Sequence, residues 1–165
     1  MMRKVNLILV FLVLAMVISG CGSREEIPEV GDFSFELPEG FTISDVTDMT
    51  CTVLDGEGTV VSTIRLTDIT PSQLWDDDDS ALPRYLNKVA YGCEFFGWKG
   101  GDEAHPLHYI TLYFSDPNTL QRREGYRILF VKDGGVYDMW LDREKLAEDT
   151  ITAFEAVAER QGEGS

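Results

Sequence analysis

The sequence predicts an α+β domain, with a mainly antiparallel sheet of about six to seven strands and helices packed on it. Three observations carry that prediction. Segments rich in β-branched and aromatic residues alternate with a period of two and are joined by short glycine-bearing turns. Two other segments, one around Pro83 and one after Asp142, place apolar residues at helical spacing. A late segment, Ile128, Leu129, Phe130 and Val131, is apolar at every position. A strand with no polar face calls for cover on both sides of its sheet.

The elements follow in order. Phe33, Phe35 and Leu37 alternate with Ser34 and Glu36 and predict a first strand; Pro38-Glu39-Gly40 is a turn, after which Phe41 and Ile43 resume the alternation. Two β-branched runs flank Asp55-Gly56-Glu57-Gly58, a hairpin signal whose glycines take positive φ freely. The segment from Ile69 to Ser80 changes character, with a proline, a tryptophan and four consecutive aspartates. Leu82, Leu86 and Val89 then share one helical face with Tyr85 beside them, and Pro83 suits a first helical turn. Two further strands, YGCEFFGW and PLHYITLYFSD, precede the clearest hairpin, GYRILFVKDGGVYDMWLD, whose turn is Lys132 to Gly135. In the closing helix Asp142 is the expected N-cap, and Leu146, Ile151, Phe154 and Val157 form the apolar stripe.

The amino terminus stands apart. Arg3 and Lys4 precede an unbroken apolar run from Leu7 to Ile18 and the small pair Ser19-Gly20, the order of a secretory signal peptide. The run holds 12 residues, short of the ~20 a spanning helix needs. Ile18-Ser19-Gly20-Cys21 resembles the lipobox of bacterial lipoproteins. The resemblance implies cleavage before Cys21, lipidation of its thiol, and a domain held outside the cytoplasmic membrane in the bacterial cell envelope. Two or more acyl chains on such a residue hold firmly where one holds marginally. The expected organisation is a signal peptide over 1–20, a lipidated tether over 21–31, one domain over 32–161 and a disordered tail over 162–165.

Charge narrows the partners. The chain carries 29 acidic and 14 basic side chains, a net −15; loss of Arg3 and Lys4 with the signal leaves 12 basic ones and −17. Such a chain repels nucleic acid, so none is expected as a partner. Cys51 and Cys93 are candidates for a disulfide, which the extracytoplasmic compartment permits, or for two buried thiols. A bridge would close a loop worth roughly 4 kcal/mol on the chain-entropy model.

FSFELPEGF, YRILFVKDGGVYDMWLD and AEDTITAFEAV together look like the PsbP-like α/β/α sandwich, over roughly Asp32 to Gln161. That resemblance implies a non-enzymatic binding or accessory domain. No motif of it transfers a functional residue.

The sequence lacks the common catalytic signatures: HExxH, GxSxG, CxxC and the P-loop are all missing, and Gly56-Glu57-Gly58 has Val61 where a dinucleotide fingerprint needs its third glycine. His105 and His108, with Asp102 and Glu103, offer donors for a metal, but positions i and i+3 of a strand point to opposite faces. Asp76, Asp77, Asp78 and Asp79 are candidate ligands for a calcium ion bound through oxygen. Measured against an EF-hand loop starting at Asp76, Ala81 replaces the required glycine and Asn87 the bidentate glutamate. In strand order Phe96 and Trp98 share a face and form a candidate partner-binding patch. The function expected is therefore a membrane-anchored binding or accessory domain with a protein partner in the envelope and no cofactor. The alternatives are a cation- or small-ligand-binding protein using residues 76–79, or a hydrolase with an unrecognised carboxylate site.

Overall fold

In the computed structural model, the described residues are 26–75, 80–89, 93–99, 107–115 and 122–162. For 75, 93–99, 107–115, 122, 123 and 162 the description covers the backbone alone. Seven strands, β1 (Thr42–Ser44), β2 (Thr50–Leu54), β3 (Val60–Leu66), β4 (Cys93–Lys99), β5 (Leu107–Ser115), β6 (Arg122–Lys132) and β7 (Gly135–Asp142), form one sheet. Among the described residues three helices accompany them: α1 (Pro71–Trp75), α2 (Ala81–Val89) and α3 (Glu148–Gly162). The sheet order is β1-β2-β3-β7-β6-β5-β4, and every neighbouring pair is antiparallel.

The order explains the helices' places. β1 to β3 and β4 to β7 are two meanders, joined where β7 pairs with β3. To begin the second meander at the far edge, the chain leaves β3 and crosses one face of the sheet as α1 and α2. The other face receives α3. Two apolar layers result. Ile64, Leu66, Ile128, Phe130, Met139 and Leu141 pack with Ile151, Phe154, Val157 and Ala158 of α3. On the opposite face Leu129, Val131 and Val136 pack with Ile69, Leu74, Leu82 and Tyr85. The run Ile128 to Val131 is covered on both sides, as its lack of a polar face requires.

The turns are built from residues suited to them. Asp133 and Gly134 both take positive φ, 49° and 77°, the left-handed pair of a type I′ hairpin. In the β2–β3 turn the Asp55 Oδ1 accepts from the backbone N–H of Glu57 (2.9 Å) and Thr59 (2.8 Å). The α1 start is a capping box: Thr70 Oγ1 accepts from the Gln73 N–H (3.4 Å), while Gln73 Oε1 accepts from the Thr70 N–H (3.0 Å), with Pro71 at the first helical position.

Three expectations need correction. Phe33 to Leu37 is not a strand. Its alternation is real, since Phe33 and Phe35 are buried while Ser34 and Glu36 are exposed. The segment uses it to lay two aromatic rings edge-on against Tyr137, at 5.8 and 5.6 Å between centroids, without joining the ladder. Asp142 does not cap α3; it closes a separate turn, accepting from Lys145 and Leu146 N–H, and the first helical bond runs from Ile151 N–H to Ala147. The Cys51–Cys93 disulfide is not formed. Cys51 is a free, buried thiol in β2, and β4, which begins at Cys93, lies five strands away across the sheet. With ~4.8 Å between neighbouring strands, that exceeds several times over the ~7 Å limit for bridged Cα atoms. Burial, only partly offset by a backbone hydrogen bond from Ile64, pushes the Cys51 thiol up to about 11.

Candidate functional site

The two faces of the sheet differ in chemistry. Register places Thr50, Thr52, Thr63, Arg65, Arg127, Asp138 and Trp140 on the face that α1 and α2 cover only in part. Asp138 is the charge inside the otherwise apolar run Val136 to Leu141, and it is 2% exposed. The Tyr85 hydroxyl donates to Asp138 Oδ2 across 2.6 Å, and the Arg127 guanidinium pairs with the same oxygen. Arg127, 13% exposed in its side chain, also donates to the Val89 carbonyl at 3.4 Å and stacks over the Trp140 ring, 4.9 Å from its centroid. Asp138 Oδ1 and Arg127 Nε are buried without a hydrogen-bond partner.

Trp140 lies flat because Gly125 permits it. A Cβ at position 125 would fall 1.6 Å from Trp140 Cη2, so only hydrogen fits beneath the ring. Burial, with the Asp138 charge and hydrogen bond added, pushes the Tyr85 phenol far above its ordinary value, and the positive charges of Arg127 and Arg65 only partly oppose this. Tyr85 therefore stays protonated as a donor at physiological pH and serves to fix α2 on the sheet.

Beside this buried group is an open cavity of about 460 Å³, within the range of small-molecule pockets. Asp68, Ile69 and Gln73 line it from the β3–α1 side, and Ala81, Arg84, Tyr85 and Lys88 from α2. Lys88 faces Asp68 at 3.8 Å, but both are largely exposed, so the pair contributes little. Arg84 Nε donates to the Ser80 carbonyl, and neither Arg84 nor Arg65 forms an ion pair with a described carboxylate. Arg160 likewise has no ion-pair partner among the described residues, but it sits in the last turn of α3, where a cation complements the helix dipole. Four cations, Arg65, Arg84, Lys88 and Arg127, thus gather around Tyr85 in a strongly acidic chain. The arrangement can hold an anion; among these side chains none is a nucleophile activated by a base.

The residues singled out by sequence lie elsewhere. Cys21 and Asp76 to Asp79 lie outside the described residues, as do His105 and the Asp102-Glu103 pair. His108, Phe96 and Trp98 are described by backbone alone. β4 has a register shift between Phe95 and Gly97. Among the described residues, no group of three or more His, Cys, Asp or Glu is placed to hold a metal, and no helix is long and apolar enough to cross a membrane. Sequence reading passed over Tyr85 as a flank of the α2 stripe and Asp138 as part of a strand. The available signal was a lone carboxylate within an apolar strand, which must be neutralised wherever it is buried.

No family model and no curated protein matches the chain. Among solved structures, the crystal structure of LpqN, involved in cell envelope biogenesis of Mycobacterium tuberculosis, is similar with a TM-score of 0.41 and 15% identity, over 78% of this chain and 80% of that one.

Proposed function

We propose that this chain is a lipid-anchored protein of the bacterial cell envelope whose extracytoplasmic domain is a binding or accessory module, and that the α1/α2 cavity takes a small anionic ligand. The lipobox-like Ile18 to Cys21 supports the location. The sheet covered by helices on both faces supports the PsbP-like reading of the fold, and the non-catalytic role is what that resemblance implies. The observation that carries the binding reading is Arg84 on the cavity wall, with Arg65 close enough to influence Tyr85; neither forms an ion pair with a carboxylate among the described residues. An arginine with no ion-pair partner among the described residues can meet a ligand carboxylate or phosphate in bidentate geometry.

Two measurements test this. Labelled fatty acid enters the wild-type chain in cells and fails to enter Cys21→Ser; equal labelling of both defeats the anchoring. Millimolar inorganic phosphate or a small dicarboxylate raises the melting temperature, because a ligand of the native state stabilises it. Arg84→Glu abolishes that rise. An unchanged melting temperature in wild type defeats the anion reading.

A further inference from the structure

Four large apolar side chains are exposed among the described residues, and three of them gather at one end of the domain: Val30 (62%), Val46 (60%) and Met49 (41%). The Gly31 N–H donates to the Asp48 carbonyl at 2.7 Å, which sets Val30 against the β1–β2 loop that carries the other two. That loop is held by Thr47, whose Oγ1 accepts from the N–H groups of Met49 (3.3 Å) and Thr50 (3.0 Å). Val46 and Met49 are therefore presented on a hydrogen-bonded turn, with Val30 beside it.

The same end receives the chain from its amino terminus. Pro28 lies beside Gly135 in the β6–β7 turn, 3.5 Å from where a Cβ would stand. Asp32 then clamps the entry: its N–H donates to the Tyr137 hydroxyl (2.8 Å) and its carboxylate pairs with Lys132. Phe33 and Phe35 enter the core directly afterwards. Val30 stands nine positions after Cys21, a reach of about 30 Å at full extension. The fourth exposed apolar residue, Val60, is at the opposite end, where Lys145 Nζ donates to its carbonyl.

We infer that Val30, Val46 and Met49 form a membrane-contact surface, resting in the interfacial region of the bilayer that holds the Cys21 lipid. This rests on the anchoring proposed above. The described chain begins at this end, nine positions or fewer from Cys21, so the bilayer is the apolar phase the three side chains meet first. Exposed Glu29, Asp45 and Asp48 flank them. The contact therefore belongs to a zwitterionic surface and weakens as anionic lipid is added.

The test places a photoreactive phenylalanine analogue at position 46, and separately at 30, in the full lipidated chain. The control position is 57, in the β2–β3 turn at the far end. Each chain is reconstituted into phosphatidylcholine vesicles, floated, irradiated and analysed by mass. Positions 46 and 30 are expected to yield lipid adducts at least five-fold above position 57, with the excess falling as phosphatidylglycerol is added. Chains that float but label lipid equally at 46 and 57 overturn the contact and leave the anchoring intact. Crosslinks at 46 to a second copy of the chain overturn it in favour of a dimer surface. Chains that do not float overturn the anchoring, and the contact with it.

Discussion

Removing the Asp138 carboxylate should be among the most damaging single changes in the domain. Asp138→Ala leaves the Arg127 guanidinium, 13% exposed, with only the Val89 carbonyl and the Trp140 ring for company. It also strips the Tyr85 hydroxyl of its acceptor. Breaking a buried pair from one side costs about 3–5 kcal/mol, because a desolvated charge remains uncompensated. Partial exposure of Arg127 sets the expectation near the lower end, ~3 kcal/mol, against a total stability of about 5–15 kcal/mol for a domain. Removing both charges with shape kept, Asp138→Leu with Arg127→Met, should restore most of the loss, since buried ion pairs are often matched by apolar packing. Adding Tyr85→Phe removes the last orphaned donor. Urea unfolding followed by tryptophan fluorescence gives each value, and the double-mutant cycle should return a coupling of about 2 kcal/mol or more. A cost for Asp138→Ala below ~1 kcal/mol, or singles that simply add in the double variant, would refute the reasoning.

Three further outcomes follow from particular contacts. Gly125→Ala drives a methyl into the Trp140 ring and is expected to cost about 1–3 kcal/mol while altering the near-ultraviolet circular dichroism of the tryptophans. The Lys132 ammonium, then the Ser34 hydroxyl and N–H, hold the Asp32 carboxyl down at about 2, below its usual 3.8. A depressed folded value means stability fully present above about pH 4 and lost as pH falls through 2, so wild type and Asp32→Asn should differ in melting temperature above pH 4 and converge near pH 2. The difference should also shrink with salt, since the Asp32 side chain is 52% exposed. Cys51, with its thiol up at about 11, should resist alkylation in the native chain and react once urea unfolds it; fast native labelling would contradict its place in the core.

The strands and hairpins were legible because their signals are local. Asp133-Gly134 marks a type I′ turn wherever it falls between alternating runs, and the doubly apolar Ile128 to Val131 required two covering layers. The failures came where a local pattern has two tertiary uses. Period-two alternation in Phe33 to Leu37 states which side chains are buried, and a segment crossing over a core satisfies it as well as a paired strand does. α1 was legible in hindsight from Thr70-Pro71-Ser72-Gln73, a capping box with proline at its first position, but five residues are too few for periodicity to show. The cysteine pairing failed because sheet order is a non-local property: nothing near Cys51 or Cys93 says that five strand spacings separate them. The candidate site was hidden for the same reason. Tyr85, Asp138 and Arg127 come from three elements, and Tyr85 and Asp138 are 53 positions apart in the chain.

The two layers should also differ in how readily they open. The α3 layer is apolar, with Ile151, Phe154, Val157 and Ala158 all buried on a helix of 15 residues. The α1/α2 layer rests on helices of five and nine residues, each below the ~12–15 at which an isolated helix is even marginal, so tertiary contact must hold them. Much of that contact is the Tyr85–Asp138 hydrogen bond and a few aliphatic side chains. Local opening should therefore begin there, which is where the proposed ligand site would gain from it. Hydrogen exchange should find the α2 amides at residues 85–89 opening at least ten-fold more often than those of α3 at 154–158. Tyr85→Phe should widen that gap while leaving α3 unchanged. Equal protection of both helices would mean that the polar layer holds α2 as firmly as the apolar one holds α3, and would remove the reason for placing the mobile, ligand-accessible face on the α2 side.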